Sequence, residues 1–253
     1  MRREQLSRSF VRLVLSGAEL AGFELGEHTD SYVKLAFFPP AAADALAGAD
    51  GPLDLATLPP QCQPKLRTYT VRAFDPVSQQ LTLDFVLHGD DGVAGPWAAA
   101  AQPGDEIRLL GPGGGYAPAA TADWHLLVGD ESALPAVSVA VERLPVGTQA
   151  HIFLEVHDPS DIVAIDTDRP VSWISRGDRT VGDALVAAVR GLPFPDGAID
   201  AFVHGEAGFV KQLRRFLLQE RAIPRESLSI SGYWRAGADD EQWRAEKRAW
   251  AAD

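Results

Sequence analysis

The sequence predicts a two-domain β + α/β fold: an antiparallel β-barrel over residues 1–120, then an α/β domain with a C-terminal helix over residues 121–253. Before about residue 117, short segments alternate apolar and polar residues and end at Gly, Pro or Asp, as antiparallel strands do. After residue 123, apolar strands alternate with helical segments, which is typical of a parallel sheet. The pattern changes at the Pro- and Ala-rich joint Ala117–Ala122, where we place the domain boundary.

The first domain contains five predicted strands and one short helix. The strands are Phe10–Leu15, Tyr32–Phe38, Arg67–Phe74, Gln80–Leu87 and Glu106–Leu110. A sheet of so few short strands must protect its edges, and closure into a small barrel does so. The helix, Pro96–Ala101, carries Pro in its first turn, where a missing N–H is tolerated. The Ala-, Pro- and Gly-rich stretch 39–60 is predicted to be a long surface loop.

The second domain alternates strands with helices. Its predicted strands are Trp124–Val128, Ala150–Val156, Val171–Ile174, Ile199–His204 and Ser227–Tyr233. Its predicted helices are Ser132–Leu144, Val181–Arg190, Glu206–Glu220 and the terminal helix Asp239–Trp250. Sheets of this kind bind nucleotides at the carboxyl ends of their strands, so the loops after the strands are the first candidates for a site.

Composition narrows the class of protein. The net charge of −12 disfavours non-specific binding to nucleic acid or to anionic membranes. Cys62 is the only cysteine, so neither an internal disulfide nor a thiolate zinc cluster is expected. The N-terminus has no apolar stretch of signal-peptide length, and no run approaches the roughly 18 apolar residues of a membrane helix. We therefore expect a cytoplasmic protein without integral membrane association.

The first candidate motif is Arg67-Thr68-Tyr69-Thr70, on a predicted strand. Alternation places Arg67 and Tyr69 on one face and Thr68 and Thr70 on the other, unless a bulge intervenes. A guanidinium group can hold a phosphate, a phenol ring can pack on an aromatic ring, and a hydroxyl can donate to a ring nitrogen or carbonyl. This set suits a flavin nucleotide, although an ordinary exposed strand has a similar composition.

The second motif, His88-Gly89-Asp90-Asp91-Gly92, ends a strand shortly before the helix that carries Trp97. Free N–H groups at a helix start can bind phosphate, but a simple turn is equally consistent with this pattern.

The third motif is the glycine run Gly111–Gly115, which allows close backbone approach to a ligand or forms a flexible interdomain turn.

Three further motifs lie after strands of the second domain. They are Gly129-Asp130-Glu131-Ser132-Ala133-Leu134-Pro135, His204-Gly205-Glu206-Ala207 and Gly232-Tyr233-Trp234-Arg235. None is a GxGxxG dinucleotide fingerprint, and Asp130 and Glu131 would repel a phosphate. Helix capping is the alternative reading of that acidic pair. Trp234 and Arg235 could cover a flat ring or receive an anion.

In this order the motifs resemble the siderophore-interacting protein family, FAD-dependent ferric-siderophore reductases of the ferredoxin-reductase superfamily. The matching segments are RTYTVR at 67–72, DFVLHGD at 84–90, PGD at 103–105, WHLLVGDESALPA at 124–136, HGEA at 204–207 and SGYWR at 231–235. The resemblance implies a six-stranded antiparallel FAD-binding barrel and a Rossmann-like NAD(P)H-binding α/β domain. It also implies non-covalent FAD, with NADH or NADPH as electron donor, a ferredoxin as an alternative donor, and a ferric siderophore as substrate.

The resemblance also implies roles for individual residues. Arg67 would hold the FAD phosphates, and Tyr69 and Thr70 would contact the flavin ring. The other cofactor-binding residues implied are Thr68, Leu87, His88, Asp90, Gly92, Ala94, Trp97, Ala98, Asp130, Glu131, Ala133 and Trp234, with Ala94, Trp97 and Ala98 acting through their backbone. The cations implied for the anionic ferric siderophore are Lys65, Arg67 and Arg235. No residue is expected to act as a catalytic acid or base, and no metal is expected to be bound by the protein itself.

Three positions depart from the family pattern. Gly113 stands where relatives often have Arg, Tyr32 where they often have His, and Gly95 where Ser or Thr is common. The missing arginine weakens the siderophore assignment more than the flavin assignment. Two alternatives therefore stay open: a general NAD(P)H-dependent flavin or ferric reductase, and a flavin-binding redox sensor that is not an enzyme.

Overall fold

The structure is a computed structural model that describes residues 1–47, 54–89 and 92–252. The chain forms two compact units. The unit called here the β unit comprises Met1–Glu4, Val11–Leu25 and Ser31–Gly113, and the α/β unit comprises Gln5–Phe10, Gly26–Asp30 and the chain from Gly114 onward.

The β unit is built on a six-stranded antiparallel sheet. Its strands are β1 (Arg2–Gln5), β2 (Phe10–Ser16), β3 (Tyr32–Phe37), β4 (Lys65–Asp75), β5 (Gln80–Val86) and β6 (Arg108–Gly113). They are hydrogen-bonded in the order β1-β2-β5-β4-β3-β6. Two helices accompany them, α1 (Ala43–Leu46) and α2 (Ala94–Ala100). Closure of this sheet into a barrel remains a prediction, because its order is linear, with β1 and β6 at the two ends.

Alternation along the strands builds the core of the β unit. Val33 and Leu35 on β3 are fully buried, as are Leu81 and Leu83 on β5, and these side chains belong to one apolar cluster. Ala98 of α2 packs into the same cluster. On β2, Arg12 donates two hydrogen bonds of 2.7 and 2.8 Å to the buried Asp84 carboxylate of β5. Two charged hydrogen bonds compensate for burying that carboxylate.

The α/β unit contains a five-stranded parallel sheet. Its strands are β7 (Trp124–Gly129), β8 (Gln149–Val156), β9 (Val171–Ser175), β10 (Ile199–Glu206) and β11 (Leu228–Trp234), in the order β11-β10-β7-β8-β9. Its helices are α3 (Leu134–Glu142), α4 (Asp183–Arg190), α5 (Ala207–Arg215) and α6 (Asp240–Ala252). Every residue of β7 and β10 is buried, as expected for central strands of a parallel sheet covered on both faces.

The two sheets confirm the predicted β + α/β fold, with several corrections to the elements. β1 was not predicted, because its sequence RREQ is polar and all four residues are exposed. The strand predicted at Glu106–Leu110 runs instead from Arg108 to Gly113, so the first three residues of the glycine run belong to a strand. An edge strand such as β6 tolerates Pro and Gly because its outer side needs no ladder hydrogen bonds.

The helices also begin or end at different residues from those predicted. α2 begins at Ala94, two residues before the predicted start at Pro96, and Pro96 remains in the first turn. The long amphipathic helix predicted to end at Glu220 is α-helical only to Arg215 and continues as a π-helical turn over Phe216–Glu220. Within the described residues 1–47, 54–89 and 92–252, no helix is long and apolar enough to span a bilayer.

Candidate functional site

The β4 strand presents the Arg67–Thr70 motif from the middle of the β unit's sheet. Arg67 lies opposite Leu35 and Tyr69 lies opposite Val33, and both of these β3 partners are fully buried. The half-buried Tyr69 ring packs on Phe85, with ring centroids 4.2 Å apart. The Trp97 ring of α2 also lies near Phe85, with ring centroids 6.0 Å apart. The structure thus groups the Tyr69 and Trp97 rings around one buried phenylalanine.

Thr68 and Thr70 belong to the opposite face of β4. Their β3 partners are Lys34 and Tyr32, which alternate with the buried Val33 and Leu35. Thr68 is exposed, whereas Thr70 is 8 % exposed and is followed directly by the buried Val71. The β4–β5 register shifts between Val71 and Ala73, directly after these two buried residues. The predicted alternation therefore holds up to the irregularity.

Lys34 is a candidate that the sequence analysis missed. It is half-buried, and its Cα partners are Thr68 on β4 and Leu110 on β6. Within residues 1–47, 54–89 and 92–252, no group pairs with its ammonium. The signal was present in the sequence, because Lys34 is the only charged residue in the strand YVKLAF. Lys65, by contrast, lies at the exposed start of β4.

The loop between β5 and α2 is described in part. Asp90 lies outside the described residues, as does Asp91. His88 is exposed and Leu87 half-buried, and Gly89 and Gly92 both have positive φ. The side chains of Ala94 and Ala98 are buried in the core, so only their backbone groups can reach a ligand. The N-cap residue of α2 is Val93, whose apolar side chain offers no acceptor to the first N–H groups of the helix.

Gly113, where the resemblance implies Arg, lies opposite Tyr32 of β3. A Cβ atom at Gly113 would lie 2.5 Å from Cζ and 2.6 Å from the hydroxyl oxygen of Tyr32. Since such distances are well below van der Waals contact, the Tyr32 ring occupies the space that a side chain at position 113 needs. The two departures from the family pattern are therefore structurally linked.

The end of the glycine run has a structural role in the α/β unit. The N–H groups of Gly115 and Tyr116 both donate to the Asp30 carboxylate, at 2.9 Å each. The Tyr116 hydroxyl donates to the buried Asp200 carboxylate at 2.9 Å. Burial and the neighbouring Asp200 raise the pKa of Tyr116 well above its usual value. These backbone donors are already used and are not available to a phosphate.

At the carboxyl edge of the parallel sheet, Asp130 connects three strand ends. The carboxylate is 1 % exposed. Oδ1 accepts from the N–H and hydroxyl of Ser132, at 2.9 and 2.6 Å. Oδ2 accepts from the N–H of Glu206 and from Nε1 of Trp234, both at 2.8 Å. Burial raises the pKa of Asp130, although these hydrogen bonds act in the opposite direction by favouring its charged form.

Gly205 makes this arrangement possible. Its φ of +141° is rarely adopted by other residues, and a Cβ there would lie 2.8 Å from Cγ of Asp130. The glycine of the HGEA motif therefore allows the strand end to approach the buried carboxylate closely.

The helix N-termini at this edge are capped by the protein's own acids. Glu206 accepts from the N–H groups of Gly208 and Phe209, the first turn of α5, at 2.6 and 3.2 Å. The N–H of Ala133, just before α3, donates to Asp130, to the backbone oxygen at 3.0 Å and to Oδ1 at 3.3 Å. Capping was the alternative reading of the acidic pair, and these donors are not free to bind a nucleotide phosphate.

Glu131 takes part in a second network. It accepts from the N–H of His157 at 2.7 Å and pairs with Arg176 at 3.3 Å. Arg176 also pairs with Glu155, at 3.3 Å, and the Glu155 carboxylate accepts from the N–H of Gly182 before α4. Burial raises the pKa of Glu155. Arg176, at the end of β9, is therefore held between two carboxylates.

Trp234 and Arg235 end β11 with their polar groups engaged. The Trp234 ring is 37 % exposed while its N–H is bound by Asp130. Arg235 forms a 2.7 Å ion pair with Glu246 of α6, and both side chains are about half exposed, at 49 % and 55 %. The structure therefore leaves the Trp234 ring accessible but pairs the guanidinium with an acid.

Comparison with known proteins identifies the family. The signature described as the siderophore-interacting FAD-binding domain matches residues 1–116, and that described as siderophore-interacting protein matches residues 122–237. The ferric vibriobactin reductase of Vibrio cholerae is 34 % identical, over 98 % of this chain and 92 % of its own. This chain belongs to the siderophore-interacting protein family.

Two further relatives extend the comparison. The NADPH-dependent ferric-chelate reductase of Escherichia coli K12 is 31 % identical, over 93 % of this chain and 91 % of its own. The crystal structure of a siderophore-interacting protein from Aeromonas hydrophila superimposes with a TM-score of 0.83 at 28 % identity, covering 100 % of this chain and 96 % of that one. The similarity therefore spans both units of this siderophore-interacting protein.

Proposed function

We propose that this protein is an FAD-dependent ferric-siderophore reductase that takes electrons from NADH or NADPH. The observation that carries the proposal is the strand motif Arg67–Thr70 within a chain whose two family signatures together span residues 1–116 and 122–237. Relatives named as ferric vibriobactin reductase and NADPH-dependent ferric-chelate reductase align over nearly its whole length. We place the protein in the cytoplasm, where both nicotinamide nucleotides are available.

The residues of β4 and its neighbours suit a flavin nucleotide. Tyr69 offers a half-buried ring fixed on Phe85, Thr68 offers an exposed hydroxyl, and Arg67 offers a guanidinium. We assign Arg67 to the FAD phosphates and Tyr69 and Thr70 to the ring. The backbone N–H groups at the start of α2, near Ala94, are our candidate donors for the pyrophosphate, with Leu87, His88, Gly92 and Trp97 beside them.

FAD would accept a hydride from the nicotinamide and release electrons singly to Fe(III), chemistry that the protein's side chains lack. The protein's part is to hold and orient the cofactor and to attract the anionic chelate. Lys65 and Arg67 are our candidates for that attraction in the β unit, and Arg235 is the candidate in the α/β unit. We add Lys34, because its ammonium has no partner within residues 1–47, 54–89 and 92–252.

The nicotinamide nucleotide belongs at the carboxyl edge of the parallel sheet, where Asp130, Glu131, Ala133 and Trp234 lie. Asp130 and Glu206 already occupy the helix N-termini there. We infer that the nucleotide phosphates bind other groups, and that Asp130 acts by positioning Trp234. A ferredoxin as donor is the alternative that this self-capped edge favours.

A second candidate function is a general flavin or ferric reductase that does not select siderophores. The contact between Gly113 and Tyr32 supports it, because position 113 contributes no cation here. The ion pair of Arg235 with Glu246 supports it as well. The third candidate is a flavoprotein without enzymatic activity. It is supported by Asp130 and Glu206, which cap the helix N-termini at the carboxyl edge of the sheet.

Anaerobic reduction of the purified yellow protein separates these functions. We expect NADH or NADPH to bleach the flavin absorbance, and a ferric siderophore to restore it rapidly with Fe(II) trapped by a chelator. If ferric citrate restores the flavin absorbance as fast as a ferric siderophore does, the result supports the general reductase. If a reduced ferredoxin but neither nucleotide bleaches the flavin, the donor assignment is wrong. If no donor bleaches it, the reductase proposal fails.

A further inference from the structure

A cavity of about 110 Å³ lies at the end of the parallel sheet opposite to the carboxyl edge, where Asp130 lies. Leu228, the first residue of β11, is part of its wall, whereas Trp234 ends the same strand. Seven residues of extended strand span roughly 20 Å, so the cavity is remote from the Asp130 network. Side chains from α5 and α6 complete the wall.

Two arginines are among the residues that line the cavity, Arg214 on α5 and Arg225 before β11. Neither has an ion-pair or hydrogen-bond partner anywhere in the described ranges 1–47, 54–89 and 92–252. Glu226, the acid next to Arg225, lines a separate cavity. The segment 211–225 contains five basic residues and one acid, in a chain whose net charge is −12. The lining therefore carries two positive charges that no ion pair within these ranges neutralises.

The rest of the lining is apolar. Leu218, Leu228 and Ile230 contribute aliphatic surface, and Trp250 of α6 contributes an aromatic ring. Trp250 itself is held by an edge contact with the buried Trp243, with ring centroids 5.5 Å apart. A ligand that satisfies both parts of the lining must join an anionic group to a small apolar body. At about 110 Å³ the cavity is smaller than the closed cavity of about 150 Å³ that holds a benzene molecule, so only part of an aromatic ligand would enter it.

We propose that this cavity is a binding site for a small aromatic carboxylate. The carboxylate would take the paired hydrogen bonds that guanidinium groups offer to planar oxyanions, and the ring would pack against Trp250 and the aliphatic wall. The site is separate from the flavin and nucleotide assignments and does not depend on them. A bound ligand would also join α5 to α6, because the lining comes from both helices.

Fluorine NMR of 4-fluorobenzoate with the flavin-loaded full chain tests the site. We expect line broadening with a dissociation constant on the order of 1 mM, typical of so small a ligand. Arg214→Gln and Arg225→Gln should each weaken binding about tenfold, as loss of a charged hydrogen bond does. Arg248→Gln is the matched control, because Arg248 is an exposed arginine of α6 outside the lining. Retained flavin absorbance and circular dichroism would show that each variant is folded.

Two further probes test whether the site needs both the negative charge and the ring of the ligand. The neutral 4-fluorobenzyl alcohol, which keeps the ring, should bind at least tenfold more weakly. Inorganic phosphate at matched ionic strength should compete poorly because it lacks an apolar body. The proposal is overturned if 4-fluorobenzoate shows no line broadening at a protein or ligand concentration about 10 times the expected dissociation constant. It is also overturned if the alcohol binds equally well, or if neither arginine variant changes the affinity. Competition by phosphate as strong as by unlabelled benzoate would also overturn it, by showing a simple anion site.

Discussion

Neighbouring residues of β4 have different surroundings because a strand directs successive side chains to opposite faces. Tyr69 packs on the core ring of Phe85, while Thr68 is exposed on the other face beside Lys34. The residues proposed to hold one cofactor therefore come from both faces of the strand. A single-residue change should consequently remove one kind of contact without disturbing the other.

Arg67→Ala should weaken FAD retention about tenfold or more, because a charged hydrogen bond to a phosphate is lost. The measurement is the flavin absorbance that remains with the protein after repeated ultrafiltration. Arg72→Ala is the control on the same strand and should retain FAD like the wild type. Full retention by Arg67→Ala through dilution would show that Arg67 does not bind the phosphates.

Gly113→Arg alone should destabilise the protein by about 1–3 kcal/mol, because the new side chain overlaps the Tyr32 ring. In a Tyr32→Ala background the same substitution should cost much less. Urea denaturation of the wild type, both single variants and the double variant gives the coupling energy, which we expect to exceed 1 kcal/mol. Additive effects within about 0.5 kcal/mol would mean that the two positions do not compete for space.

At the scale of elements, a single carboxylate connects β7, β10 and β11. Asp130 follows β7, accepts from Glu206 at the end of β10, and holds Trp234 at the end of β11. The three strand ends belong to distant parts of the sequence, so this contact fixes their relative positions at the nucleotide edge. The orientation of the partly exposed Trp234 ring depends on its hydrogen bond to Asp130.

Asp130→Asn should lower the free energy of unfolding by about 2 kcal/mol. An amide has one acceptor oxygen, so either the Ser132 donors or the Glu206 and Trp234 donors would face an NH₂ group. Asp158→Asn is a matched control, because Asp158 makes the same local bonds to Ser160, at 2.9 and 2.7 Å, without the long-range donors. Equal losses for the two variants, measured by urea denaturation, would contradict the proposed connection between the strands.

Glu246→Gln should leave stability nearly unchanged, since an exposed ion pair contributes about 0–1 kcal/mol. It should release Arg235 and lower the KM for an anionic ferric chelate about two- to fivefold. Glu220→Gln breaks an equally exposed pair, with Arg190 at 2.6 Å, and serves as control. An unchanged KM in steady-state assays of Glu246→Gln would remove Arg235 from the substrate candidates.

At the scale of the whole molecule, one buried histidine should make stability depend on pH. The His204 ring is stacked on the Phe202 ring, with ring centroids 3.7 Å apart, and His204 is 4 % exposed. Burial, with a smaller contribution from Lys247, lowers the pKa of His204 to about 3. In the unfolded chain its pKa is about 6.5, so the unfolded state binds the proton first as the pH falls. The stabilisation is present above about pH 6.5 and is lost progressively toward pH 3.

His204→Phe should therefore reduce the pH dependence of the unfolding free energy by up to about 1.4 kcal/mol per pH unit between pH 6 and pH 4. Urea denaturation at several pH values measures this slope. Other buried groups, such as Asp130, are common to both proteins and cancel in the difference. His157→Gln, which changes a less buried ring, is the control. An unchanged slope in His204→Phe would show that folding does not lower the pKa of His204.

Local patterns in the sequence were sufficient to predict ten of the strands and, in order, the helices α2 to α6, whereas α1 lies within the stretch 39–60 that was predicted to be a loop. The alternation in FVRLVL and the apolar run in WHLLV report the faces that these segments bury, and burial follows from hydrophobicity alone. The motifs RTYT, GDESALP and SGYWR, taken in order, also indicated the family that the comparisons identify. By contrast, β1 could not be predicted, because an exposed strand of polar residues carries no such pattern.

The sequence by itself thus determined the fold class, the family and where along the chain the candidate motifs lie. Only the tertiary structure decided which polar groups are already engaged: Asp130 with Trp234, Glu206 with the start of α5, and Arg235 with Glu246. It also decided that Lys34 shares a face with Thr68, and that Tyr32 occupies the space beside Gly113. The physical reason is that periodicity reports the environment of each segment, whereas these contacts depend on how segments far apart in sequence are brought together.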